Sequence, residues 1–198
     1  MTSLTTRYVD AVAYAVDVHT GQVRKGTAVP YAAHLLGVSS LVLEAGGDED
    51  LAIAALLHDA AEDHGGQAQL AEITARFGSR VSLIVAECSD SLLSEDAPKP
   101  AWQSRKVAHL ARLESASDDT LLVWTSDKVH NARALVTDVS VFGVDVLSKF
   151  HAGAEQILWY YRSNLDLALR RQVTDILVRP LRLALDELDE LITAATSV

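Results

Sequence analysis

Cysteine is almost missing from this chain. Cys88 stands alone, which excludes a disulfide framework within the chain and any thiolate-rich zinc site. Basic residues are also short, 17 Lys and Arg against 27 Asp and Glu. The resulting net charge of −10 argues against nucleic acid as the main partner, because binding a phosphate backbone needs a basic face. No apolar run approaches the ~20 residues of a membrane span. The N-terminus, Met1 to Arg7, has no basic region followed by an apolar core, so no signal peptide is expected. These absences point to a cytoplasmic protein. Strand alternation, internal repeats and low-complexity segments are missing too. What remains is helix.

At 198 residues, the length suits one all-α domain spanning 1–198. About eight to ten helices are expected. The first runs from about Thr5 to His19, and the glycine- and charge-bearing stretch Gly21 to Val29 is a loop. Pro30 suits the first turn of a second helix, which carries His34 and runs to Gly46-Gly47. Asp48 is a candidate N-cap for a central helix that ends at Gly65-Gly66. Two short helices follow, about Gln67–Arg76 and Ser79–Cys88, then a loop over Ser89–Pro100 with Pro98 and Pro100, then a helix over Trp102–Leu113. Later helices are expected at Thr120–Val136, Phe142–Asn164 and Leu165–Val178, with Pro180 restarting the last one over Leu181–Ala194. The core spans about 5–165, and the helices of 165–195 close the chain. The final stripe, Leu181, Leu185, Leu188 and Ile192, reads as core, with pairing to a second copy as its other use.

The chain is organised around Leu51 to Asp63. Seven apolar residues, Leu51 to Leu57, run directly into His58, Asp59, Glu62 and Asp63. A helix apolar on every side is buried, so these ionisable groups need partners. Read as one helix, spacings of three and four put His58 and Glu62, and Asp59 with Glu62 and Asp63, on one side. His34 and Asp127 lie on other apolar helices, Asp127 just after Leu121 to Trp124. Two histidines and two aspartates make a nitrogen and oxygen set suited to Mn, Fe or another divalent ion with open water positions.

The order His34, His58-Asp59, Asp127 resembles the HD superfamily of metal-dependent phosphohydrolases. More narrowly, it is similar to the hydrolase domain of RelA/SpoT proteins and the small alarmone hydrolases. Four stretches carry the likeness, Arg24 to His34, Ala54 to Asp63, Arg76 to Val81, and Ser126 to Arg133, within about residues 8–165. The resemblance implies a bundle in which His34, His58, Asp59 and Asp127 hold Mn²⁺, with Fe²⁺ or Zn²⁺ as other candidates. It implies that Glu62 and Asp63 orient or deprotonate water, and that Arg24, Lys25 and Asn131 contact a nucleotide. The activity implied is removal of the 3′-diphosphate from guanosine tetra- or pentaphosphate. The rival readings are a phosphatase for another nucleotide and a non-catalytic nucleotide-binding module. The chain departs from the family at its basic loop, one residue longer than usual, at Ala134, and at His64-Gly65-Gly66. With no room in 198 residues for a synthetase domain, a hydrolase only is expected.

Overall fold

Apolar spacing at three and four residues becomes helix throughout the computed structural model, which describes residues 2–92, 100–149 and 153–196. Helix α1 spans Thr6–Val18 and starts where the Thr5 hydroxyl accepts from the Arg7 N–H. Helix α2 spans Ala32–Glu44 and α3 spans Glu49–Leu57, the latter capped by Asp48, which accepts from the Leu51 N–H at 3.0 Å. The short α4 covers Ala60–Asp63, α5 Gly66–Phe77, α6 Ser79–Cys88 and α7 Trp102–Leu113. The long α8 covers Asp118–Phe142, and a 3-10 segment follows at Val144–Lys149. Helices α9, Ala154–Arg170, and α10, Asp175–Thr196, complete the chain. The described residues therefore form an all-α fold, with one isolated bridge between Val23 and Pro30 as their β feature.

Every residue from Leu51 to Leu57 is buried, so α3 is the central element. Helices α1, α2, α6 and α8 pack on it, and α10 lies along α8. One apolar cluster runs from Ala11 through Ile53, Val123 and Leu167 to Leu188. No described helix is long and apolar enough to cross a membrane.

Several boundaries differ from the periodicity reading. The central helix does not run on to Asp63; it ends at Leu57 and restarts at Ala60. The His58 ring takes the Ala55 carbonyl as a hydrogen-bond partner at 2.8 Å, competing with the ladder at that turn. Helix α8 continues six residues beyond Val136 to Phe142, where Gly143 at φ 82° ends it. A helix over Phe142–Asn164 is thus replaced by the 3-10 segment and α9; residues 150–152 of that expectation lie outside the described residues, as do 93–99 of the expected loop. Helix α10 starts at Asp175, and Pro180 does not restart a helix but sits inside it. A proline there costs ~3 kcal/mol. Burying Leu177, Leu181, Leu185 and Leu188 on one stripe outweighs it, at ~1.5–3 kcal/mol each.

Candidate metal centre

Burial of α3 delivers His58 to the interior, because the apolar run leaves its last turn nowhere else to go. Helix α8 does the same for Asp127, with Val123, Trp124 and Val129 buried around it. Helix α2 brings His34, which is 1% exposed. It can approach α8 because Gly37 lacks a side chain: a Cβ there would lie 2.3 Å from the His130 ring.

The four expected residues converge. His58 Nε2 lies 3.0 Å from Asp59 Oδ2 and 3.6 Å from Asp127 Oδ1. His34 Nε2 lies 3.3 Å from Asp127 Oδ1 and 3.6 Å from Asp59 Oδ2. Among the described residues, His34, His58 and Asp59 each offer a ligand atom within 4.8 Å of the other two, with Asp127 facing both imidazoles beside them. The outer atoms set the inner ones. His58 Nδ1–H donates to the Ala55 carbonyl, and His34 Nδ1 meets His130 Nδ1 at 3.0 Å, so both Nε2 atoms are turned toward the carboxylates. His58 Nε2 is buried without a hydrogen-bond partner. Tyr31 donates to Asp59 Oδ2 at 2.5 Å; Lys128 and Asn131 each donate to Asp127 at 2.5 Å.

The electrostatics agree with this geometry. Burial opposes a charged imidazole, yet the Asp59 and Asp127 carboxylates hold the His58 pKa well above its ordinary value. Burial also opposes ionised aspartates, but His58 beside Asp59 and Lys128 beside Asp127 hold both carboxyls well below the usual range. The centre draws positive charge. An orphaned imidazole nitrogen, a second one beside it and two carboxylates fit a divalent cation.

Glu62 and Asp63 do not share a side as one continuous helix would have them. Glu62 turns to the Asp90 N–H, 2.8 Å away, while Asp63 Oδ2 accepts from Gln22 Nε2 at 2.9 Å. Burial and the charge of Asp90 push the Glu62 pKa up to about 7, and burial with the charge of Asp59 raises Asp63. Asp90 is itself buried between Arg105 at 2.6 Å and Lys106 at 2.7 Å. Arg24, Lys25 and Asn131 come together on the walls of a cleft of about 230 Å³ with Tyr31, Ala134, Leu135, Asp138 and Tyr161. Arg24 donates to Asn131 Oδ1 at 3.0 Å, so Asn131 joins the cleft to Asp127.

Sequence reasoning missed Gln22, Asp90, Lys106 and the role of Tyr31; an ion pair of Asp127 with Lys128 is among the readings the sequence allows, and the structure forms it. Lys128 carried a signal, since a lysine next to a buried aspartate at the same helix level needs a partner. Gln22 and Asp90 sit in loops, where no periodicity marks them.

A helical bundle with a buried His and His-Asp and Asp centre defines an HD domain, and the HD-domain family model matches residues 11–143. The chain belongs to that family. It is similar to the guanosine-3′,5′-bis(diphosphate) 3′-pyrophosphohydrolase MESH1 of Xenopus tropicalis, 35% identical over 129 residues, covering 64% of this chain and 68% of that protein. It is 34% identical over 126 residues to the guanosine-3′,5′-bis(diphosphate) 3′-pyrophosphohydrolase of Aquifex aeolicus, covering 63% of this chain but 17% of that longer protein. A solved structure described as a metazoan ortholog of SpoT that hydrolyzes ppGpp superposes with a TM-score of 0.71 at 27% identity, over 95% of this chain and 96% of the other.

Proposed function

We propose that this chain is a metal-dependent phosphohydrolase that removes the 3′-diphosphate of guanosine 3′,5′-bis(diphosphate) and its pentaphosphate form, with Mn²⁺ as the cation and the cytoplasm as its place of work. The observation that carries the reading is the buried, unpartnered His58 Nε2 facing two carboxylates, beside a cleft walled by Arg24, Lys25 and Asn131. The names of the frog and Aquifex relatives support the substrate.

His34, His58, Asp59 and Asp127 would hold the cation. When bound, it polarises a phosphoryl oxygen and acidifies water. The chain supplies the rest. Ala55, through its carbonyl, and His130 set which nitrogen of each imidazole faces inward; Tyr31, Lys128 and Asn131 fix the carboxylates. Glu62, with a pKa near neutrality, takes the proton of the attacking water. Asp63 orients that water. The Arg24 guanidinium plane lies against the base and Lys25 faces phosphate oxygens, roles that suit a flat fork and a point charge. The oxygen of water forms a bond to the phosphorus next to the ribose 3′-oxygen. The bond from that phosphorus to the 3′-oxygen breaks, the leaving oxygen takes up one proton to replace the one given to Glu62, directly or through solvent, and pyrophosphate and a 3′-hydroxyl result.

The test is a panel of nucleotides incubated with the purified protein and Mn²⁺. Pyrophosphate released from the alarmone is expected. Phosphate released only from other nucleotides would move the assignment to a different substrate, and binding without any turnover would sink the enzymatic reading.

A further inference from the structure

Gln22 lies at the meeting point of three polar side chains. Its Oε1 is 2.7 Å from His19 Nδ1 and 2.9 Å from His64 Nε2, while its Nε2 is 2.9 Å from Asp63 Oδ2. The direction of each bond is set by chemistry. A carboxylate accepts, so the amide nitrogen faces Asp63, and the amide oxygen must then receive protons from both imidazoles. His19 therefore carries its proton on Nδ1 and His64 on Nε2. Consistent with this, His19 Nε2 is buried without a partner, and burial pushes the His19 pKa down toward the neutral ring. The Gln22 backbone is pinned as well. Its carbonyl accepts from the Tyr31 N–H at 3.0 Å, and the next residue, Val23, bridges to Pro30. The His19 ring stacks on Tyr31, centroids 5.2 Å apart, and it meets the His64 ring edge-on at 4.9 Å.

We propose that Gln22 is a positioning residue: its amide, locked in one orientation by His19 and His64, holds one oxygen of Asp63 and aims the other at the attacking water. This rests on the role given to Asp63 above. Glu62, one residue earlier, accepts instead from the Asp90 N–H through Oε2, so the neighbouring carboxylates are held by separate clamps. His64, at the end of α4, closes the cluster from the other side. It gives the amide oxygen its second donor.

Two variants test this, Gln22→Met, which removes every bond, and Gln22→Glu, which accepts from both histidines but offers Asp63 no proton. Both are expected to lower kcat roughly 10- to 100-fold, the scale of a misplaced reacting group. KM is expected to stay within about twofold, because the cleft is untouched, and bound cation per chain should not change. A second readout does not depend on turnover: long-range proton–nitrogen spectra of histidine-labelled protein loaded with diamagnetic Zn²⁺. They should place the His19 proton on Nδ1 in the wild type and show its shift move in Gln22→Met. A kcat within about twofold of wild type in both variants overturns the proposal. So does a His19 proton found on Nε2, which needs no variant to fold. If the wild type does not cleave the alarmone, the proposed function fails, while the spectra still decide whether the amide is oriented as described.

Discussion

Glu62 and Asp63 are neighbours in the chain with different surroundings, and their variants should separate. Asp63→Asn is expected to keep the cation and lose about 10²- to 10⁴-fold in turnover, the range for a positioned proton-handling group. His34→Ala or Asp127→Ala should lose cation and turnover together. Metal analysis beside kcat checks both, and a metal-free Asp63→Asn would make Asp63 a ligand instead. Glu62 makes a pH prediction. Its pKa stands at about 7 through burial and the charge of Asp90, and the form that takes a proton is the carboxylate. Below that value the carboxylate fraction falls about tenfold per pH unit, so kcat should rise with pH and level off above neutrality. A Glu62→Gln variant should lose that slope; a slope unchanged by it would assign the limb to another group.

At the scale of helices, the close approach of α2 and α8 is the constraint. Gly37 leaves room for the His130 ring, whose Nδ1 meets His34 Nδ1 at 3.0 Å. Gly37→Ala must displace His130, and losing an outer partner of a ligating histidine weakens cation binding by about 10- to 100-fold. Titration of cation binding measures this; unchanged affinity would show that His130 does not orient His34. The elements were legible in the sequence wherever periodicity was strong. The buried run Leu51 to Leu57 marked the central helix, and Asp48 marked its start. The stop at Leu57 was not legible, because it depends on the His58 ring competing for a main-chain carbonyl. Pro180 misled for a related reason. A local helix-breaking signal lost to the burial of leucines on both sides of it. The four converging residues could be found as His and Asp on apolar helices, whereas Gln22 and Asp90 needed the folded loops to reveal them.

Across the whole molecule, the centre joins α2, α8 and the turn after α3, segments 93 residues apart at the extremes, His34 to Asp127. A cation bound there stabilises only the folded chain. At a hundredfold excess over Kd the gain is about 2.7 kcal/mol. For a protein of this size that raises Tm by roughly 5–10 °C. Thermal unfolding with Mn²⁺ and with a chelator should differ by that amount, and coincident midpoints would count against a cation site.

The segment from His19 to Tyr31 is tied at both ends, by the Gln22 carbonyl on the Tyr31 N–H and by the Val23–Pro30 bridge. Arg24 and Lys25, between those ties, line the cleft together with Tyr31, while the Gln22 and Tyr31 side chains reach Asp63 and Asp59. Under the proposed function, selectivity for the base and control of the hydrolytic water would therefore be mechanically joined. A loop graft meant to redirect which nucleotide is accepted would have to preserve both tethers, or it would slow the reaction in the act of retargeting it.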